Sequence, residues 1–92
     1  MPWQRSPRVV YEVVDGRAVL IDPDGTEIIT LNEVGTVVWE HLDGRRDAAA
    51  LAAALLPRFG VPLEQLAHDI TAFLAEVAAA ALVEQGTDDA RG

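Results

Sequence analysis

The stretch Thr30–Gly44, TLNEVGTVVWEHLDG, marks the point at which the chain changes from strand-like to helix-like patterning. From Val34 to Leu42 the apolar residues recur at helical spacing. Asn32 is a favourable N-cap, and Gly44 suits a helix C-terminus. The stretch therefore predicts the junction between a sheet and a first helix.

Upstream of this junction, turn signals separate three apolar segments, which are predicted strands: Val9–Val14, Ala18–Asp22 and Thr26–Leu31. Asp15-Gly16 is a strong hairpin signal, and Pro23-Asp24-Gly25 predicts a second tight turn. Short turns between consecutive strands indicate an antiparallel meander. The third strand carries one charge, Glu27, and no Pro or Lys. Its edge is therefore either covered by the helices or left for a partner strand.

Downstream, the pattern predicts two more helices. Asp47 can cap a second helix that ends near Pro57, and Pro62 suits the first turn of a third. The third helix carries a broad apolar stripe between Leu63 and Ala81. We therefore predict an α+β fold with a three-stranded antiparallel sheet followed by three helices. Residues 1–8 form an N-terminal extension, 9–84 the domain and 85–92 a flexible tail.

Composition restricts the function further. The chain has 92 residues, a net charge of −8 and no cysteine, so disulfides and thiolate metal sites are excluded. No apolar run approaches the roughly 18 residues of a membrane span, and no secretion signal is present, so we expect a cytoplasmic protein. Surplus acid disfavours nucleic acid and anionic membranes as partners and favours a basic one, or it only keeps a small domain soluble.

Residues that could carry catalysis are scarce. His41 and His68 are far apart in sequence, and neither has a carboxylate at a ligand-like spacing. We expect His41 to be a partly buried structural residue and His68 to be solvated. No nucleophile triad or nucleotide-binding loop is visible. The sequence predicts neither an enzyme nor a metal or cofactor site.

The third helix and the third strand together suggest a binding surface. On the helix, Asp69 and Glu76 lie just outside the border of the apolar stripe, beside Phe73. This pattern fits an ordinary solvated rim or a groove with an acidic lip, suited to a basic peptide with an aromatic anchor. The predicted binding residues are Glu27, Ile28, Ile29, Thr30 and Leu31 on the strand, and Leu66, Asp69, Ile70, Phe73, Glu76 and Val77 on the helix.

The opening stretch resembles the signature of the PqqD family, approximately L-N-x-[TS]-G-x-x-[IVL]-W-x-L-[LI]-D-G. The matching positions are Leu31, Asn32, Gly35, Val38, Trp39, Leu42, Asp43 and Gly44. The second half of the chain is also similar, including Asp69 and the Phe73-Leu74 pair. Three positions depart from the family pattern: Val34 replaces Thr or Ser, His41 replaces Leu, and Ala81 replaces Gly.

The resemblance implies a winged-helix-like domain that recognises the precursors of ribosomally made, modified peptides. The leader segment would add to strand three against helix three and be presented to a separate leader peptidase or modifying enzyme. The stand-alone leader-binding half of a split lasso-peptide B protein is favoured over a PqqD-type chaperone for a radical-enzyme cofactor pathway. A winged-helix DNA-binding protein is disfavoured, because Arg58 is the single basic residue between Asp47 and Glu84. A small subunit that docks on a larger enzyme without a peptide ligand is the remaining alternative.

Overall fold

The computed structural model describes residues 2–86, which form five strands and three α-helices. In chain order they are β1 (Trp3–Arg5), β2 (Val10–Val14), β3 (Arg17–Ile21), β4 (Ile28–Thr30), α1 (Glu33–Glu40), α2 (Ala48–Leu55), α3 (Leu63–Ala79) and β5 (Val83–Gln85). A short 3₁₀ turn, Leu56–Arg58, follows α2. The predicted α+β class is confirmed. Most of the predicted flexible tail, residues 87–92, lies outside the described residues.

The strands β2, β3 and β4 form the predicted antiparallel meander. The two-residue turn between β2 and β3 places Asp15 at φ 54° and Gly16 at φ 80°. Positive φ at both positions is the geometry of a type I′ hairpin turn, which matches the twist of the flanking strands. The Asp-Gly signal thus sets the register in which Val14 pairs with Arg17.

The turn between β3 and β4 depends on a side chain. The Asp22 carboxylate accepts hydrogen bonds from the backbone N–H of Thr26 (2.8 Å) and Glu27 (3.3 Å), while the Gly25 N–H donates to the Asp22 carbonyl (2.9 Å). Desolvation raises the pKa of Asp22, but hydrogen bonds from Thr26, Glu27 and Gly25 together outweigh it and leave the pKa below its ordinary value. The ionised carboxylate therefore organises the approach to β4.

The chain ends form a second, two-stranded sheet that the sequence analysis did not predict. Trp3 pairs with Gln85 and Arg5 with Val83, in antiparallel register. Three strands were expected and five are present. The prediction missed β1 and β5 because three-residue segments are too short to show alternating hydrophobicity. Residues predicted as an extension thus pair with the last two residues of the predicted domain and the first residue of the predicted tail.

The first helix is shorter than predicted. Asn32 caps it as expected, with the Gly35 N–H donating to Asn32 Oδ1 (2.7 Å). The helix ends at Glu40, however, and Gly44 is not its C-terminus. Gly44 lies at φ 82° in a turn against β1, where its N–H donates to the Trp3 carbonyl (2.8 Å). Its role is to let β1 approach this turn.

The core lies between the inner face of the meander and the three helices. Its most buried members, all 0–2% exposed, are Ala18, Leu20, Val38, Trp39, Leu42, Leu51, Ala52, Leu55, Leu66, Ile70, Leu74 and Leu82. Trp39 meets the Tyr11 ring edge to face, with centroids 5.5 Å apart. Arg5 stacks over the same ring and donates to the Trp39 carbonyl (3.1 Å) at the end of α1. Trp39 is therefore a structural residue of the core.

Candidate functional site

One edge of the meander is unpaired. The strand order is β2–β3–β4, and no strand of residues 2–86 pairs with the far side of β4. Leu31 N–H donates to the Ala18 carbonyl (2.8 Å), and the Glu27 carbonyl accepts from Asp22 N–H (3.2 Å). Residues 27, 29 and 31 therefore turn their backbone groups toward β3.

Because backbone groups alternate along an antiparallel strand, those of Ile28 and Thr30 point away from β3. Two N–H and two C=O groups thus line the open edge. The sequence analysis predicted that all residues of Glu27–Leu31 offer backbone groups at this edge. The strand register shows that only Ile28 and Thr30 of this segment do so.

The side chains of β4 also alternate. Ile29 pairs with the buried Leu20 and packs half-buried on the core, and Leu31 is buried. Ile28 and Thr30 are exposed on the opposite, outer face of the sheet. The sequence left open which pair faces inward, and the structure places Ile29 and Leu31 there.

A groove of about 280 Å³ begins where β4 leads into α1 and runs between the first turn of α1 and the exposed side of α3. Its lining residues are Asn32, Val34, Gly35, Asp69, Ala72, Phe73 and Glu76. Phe73 is half-buried and forms the apolar floor with Val34 and Ala72. We refer to these seven residues as the α1–α3 groove.

Gly35 lets the two helices meet at the floor of the groove. A Cβ atom at this position would lie 3.1 Å from Phe73 Cε1 and 3.2 Å from Asn32 Oδ1. Both distances are tighter than ordinary van der Waals contact. Gly35 therefore permits a close approach, and the approaching side chain is Phe73.

The structure brings together only part of the predicted helix site. Asp69, Phe73 and Glu76 line the groove, whereas Leu66, Ile70 and Val77 are 1%, 0% and 4% exposed and belong to the core. These three residues are covered because α3 packs mainly against α2, and they support the groove from beneath. Sequence reasoning missed the other four lining residues as binding residues: Asn32, Val34, Gly35 and Ala72. Val34 could have been noticed, since it occupies a position where the chain departs from the family pattern.

Charges are distributed unevenly around the groove. Asp69 and Glu76 are exposed on the α3 lip, seven residues and hence about 10.5 Å apart along the helix axis. At the α1 side, a neighbouring hollow is lined by Arg17, Asn32, Glu33 and Val34. Arg17 Nε donates to the Leu31 carbonyl (3.2 Å), which fixes the guanidinium near the end of β4. The site therefore offers carboxylates on one lip and a cation at its opposite end.

The two histidines lie as expected. Nδ1 of His41 is 2.8 Å from the Val37 carbonyl oxygen in a half-buried position, and His68 is exposed. Across residues 2–86, no cluster of three or more His, Asp or Glu side chains is arranged to hold a metal ion. In the same part of the chain, every helix falls short of the length and apolar character needed to cross a bilayer.

Comparison with known proteins gives a family match and several relatives. The family described as "Coenzyme PQQ synthesis protein D (PqqD)" matches residues 17–83. A PqqA binding protein of Pseudomonas fluorescens (strain SBW25) is 39% identical over 79 residues, covering 85% of this chain and 81% of that protein. A PqqA binding protein of Rhizobium meliloti (strain 1021) is 26% identical over 80 residues, covering 87% and 80%.

Two solved structures share the fold. "TbiB1 in Complex with the TbiA(beta) Leader Peptide" superimposes with a TM-score of 0.79 at 24% identity, covering 92% of this chain and 99% of that one. "Lasso peptide synthetase B1 complexed with the leader peptide" gives a TM-score of 0.78 at 19% identity, covering 91% and 99%. At these identities the likeness establishes the fold alone.

Proposed function

The chain belongs to the family of coenzyme PQQ synthesis protein D, and from that premise we propose that it binds the leader segment of a ribosomally made precursor peptide. The observation that carries the proposal is the open edge of β4, which runs directly into the α1–α3 groove. Relatives named PqqA binding protein support a peptide ligand. The domain itself acts as a recognition element and performs no chemistry.

The peptide adds to β4 as a further strand. The outward N–H and C=O groups of Ile28 and Thr30 supply about four main-chain hydrogen bonds. These bonds hold any extended backbone and carry little sequence information, so side chains must provide the selectivity.

Strand alternation divides the peptide's side chains between two faces. Residues opposite Ile29 and Leu31 point to the inner face, toward the groove, and residues opposite Ile28 and Thr30 point to the outer face. A large apolar or aromatic side chain on the inner face fits against Phe73. Lys or Arg near it pairs with Asp69 or Glu76. The preferred ligand is therefore a basic segment with an aromatic anchor.

The bound leader is then presented to a separate leader peptidase or modifying enzyme. The lasso-peptide assignment follows from the family resemblance. The alternative, a PqqD-type peptide chaperone, is favoured by sequence, because the PqqA binding proteins reach 40% identity and the two solved leader-peptide complexes 24% and 19%. Both precursor classes need testing with the same assay.

The test is a titration of the purified domain with three labelled peptides: PqqA, the TbiA(beta) leader, and the precursor encoded beside the gene of this chain. We expect saturable binding of at least one, detected by fluorescence anisotropy. Isotope-edited NMR should then show peptide amide protons close to those of Ile28 and Thr30. Failure of all three peptides to bind would refute the proposal. Binding without contacts at these amides would refute strand addition.

The DNA-binding alternative makes the opposite prediction. A reader of duplex DNA needs a basic face, whereas both lip residues of the groove on α3 are carboxylates. A shift assay with generic duplex at low salt should show no complex. A shift that salt abolishes would instead favour nucleic acid as the ligand.

A further inference from the structure

The outer face of the β2–β3–β4 sheet is apolar although it is exposed. Cross-strand pairing places Val10, Ile21 and Ile28 in one row on this face, with exposures of 65%, 38% and 72%. Val19 and Val14 continue the surface toward the hairpin turn. A sheet with one solvated face normally alternates apolar and polar residues, and here the solvated positions are mostly β-branched apolar residues. We call Val10, Val14, Val19, Ile21 and Ile28 the outer platform.

We propose that the outer platform is the docking surface for the enzyme that processes the bound peptide, through an apolar patch with a basic rim. This inference rests on the proposed function, since it assumes that a peptide occupies the edge of β4. It adds a second interface on a different face from the α1–α3 groove.

Continuity with the peptide site is the first reason. The row formed by Val10, Ile21 and Ile28 ends at the open edge of β4. A peptide strand added there would place the side chain opposite Ile28 on the same face and in the same row. An enzyme seated on the platform would therefore contact the outward half of the peptide's side chains. The domain would retain the inward half in its groove.

Charge decides between a foreign enzyme and a second copy of this chain. Glu12 lies on the outer face beside Val19, and Asp15 and Asp24 are exposed in the two turns that border it. Arg17 also lies on this face, opposite Val14, and its Nε donates to the Leu31 carbonyl (3.2 Å), so it is one cation beside three carboxylates. A symmetric dimer would set the acidic platform against itself and bring like charges together. A partner with basic residues around an apolar centre relieves this repulsion.

The double variant Val10→Thr/Ile21→Thr tests the platform. Threonine keeps a β-branched shape, so the strands should persist while the apolar surface is lost. The matched control is Leu63→Gln, which removes an exposed apolar side chain (47% exposed) at the start of α3. The probe is the purified leader-cleaving or peptide-modifying enzyme encoded in the gene cluster of this chain, with the precursor peptide measured separately.

We expect the double variant to weaken enzyme binding by at least about tenfold, as loss of a buried apolar centre does. Its peptide affinity should stay that of the wild type, and Leu63→Gln should change neither. Glu12→Lys should slow association with the enzyme, most strongly at low salt.

The proposal would be overturned if the wild-type domain did not bind the enzyme, or if the double variant bound it normally. It would also be overturned if sedimentation showed that the wild type self-associates and the double variant does not. A mixture of wild type and Glu12→Lys that dimerises more strongly than either alone would likewise identify a second copy as the occupant. Absence of peptide binding together with platform-dependent enzyme binding would refute the proposed function and leave the docking surface standing. The two failures are therefore distinguishable.

Discussion

The meander has two outer edges, β2 and β4, and their surroundings differ. At β2 the hairpin register turns the backbone groups of Tyr11 and Val13 outward, just as Ile28 and Thr30 are turned outward at β4. On the inner side of β2, however, the Tyr11 ring is packed between Trp39 and Arg5. On the inner side of β4 the α1–α3 groove remains unfilled.

This difference teaches that unpaired hydrogen-bonding groups alone do not make a peptide site. Both edges offer them, but main-chain bonds are nearly independent of sequence. On the inner face of the sheet, β4 combines its edge with the α1–α3 groove, which can receive every second side chain. The proposal therefore requires that disruption of β4 or its groove weakens peptide binding, and that equivalent changes at β2 or elsewhere do not.

The largest effect is expected from Phe73→Ala. Truncation removes the aromatic floor of the groove, and loss of such a central contact commonly costs about 2 kcal/mol, or roughly thirtyfold in affinity. The chain offers a matched control in Phe59, which is also half-buried against the core but lies outside the groove. Phe59→Ala should lower the melting temperature without changing peptide affinity.

Anisotropy titration of the tightest-binding labelled peptide measures the first effect, and thermal unfolding by circular dichroism measures the second. Equal losses of affinity in the two variants would show that general destabilisation, rather than the groove, is responsible.

A proline placed in each edge compares β2 and β4 directly. Thr30→Pro removes one outward N–H at β4, and Pro is tolerated on edge strands when the lost N–H faces solvent. One net hydrogen bond is worth about 1 kcal/mol, so affinity should fall roughly fivefold. Val13→Pro makes the same change at β2 and should leave affinity unaltered. Ile29→Pro would be unsuitable, because its N–H faces β3 and the sheet itself would break.

Both proline variants must first show wild-type far-ultraviolet circular dichroism. If Val13→Pro then weakened peptide binding as much as Thr30→Pro, the two edges would be equivalent and β4 would lose its special role.

Smaller effects are expected from the acidic lip. Asp69→Asn and Glu76→Gln each remove one exposed carboxylate, and exposed ion pairs contribute about 0.2–1 kcal/mol, or up to roughly fivefold in affinity. The loss should appear mainly in the association rate and should shrink as salt is added. Glu64→Gln, on the same helix but outside the groove, is the control. Stopped-flow association at two salt concentrations would separate them, and equal salt slopes for all three variants would exclude a specific acidic lip.

The sequence predicts the fold well where local chemistry decides it. Asp15-Gly16 can form the hairpin turn, and Asn32 can cap α1, because each depends on a few neighbouring residues. It fails at the ribbon of β1 and β5, where three-residue strands meet from opposite ends of the chain. No periodicity in either segment reveals that pairing.

The candidate site is predicted only in part for a related reason. A helical stripe identifies Phe73 and Asp69 as border residues, but it does not reveal that Leu66 and Ile70 are fully covered where α3 packs against α2. Which residues at the border of the apolar stripe become buried depends on how α3 packs against the other helices. Arg17 is distant from α3 in sequence, and it lines the hollow beside the groove because β3 begins next to Leu31.

Lowering the pH should affect the β4 edge before the β2 edge, because the turns that lead to these two strands are stabilised differently. The β2–β3 turn is held by positive φ values, whereas the β3–β4 turn uses the Asp22 carboxylate. Because the folded-state pKa of Asp22 is lowered, its contribution to stability is present above the ordinary value of 3.8 and is lost as pH falls through the lower folded-state value.

Lowering pH through this window should therefore reduce hydrogen-exchange protection of the Ile29 and Leu31 amides before that of the Val14 amide. Asp22→Asn should reproduce this loss at neutral pH and remove its pH dependence, whereas Asp15→Asn should not. Simultaneous loss of protection at both turns in the wild type would show that Asp22 does not govern β4 separately.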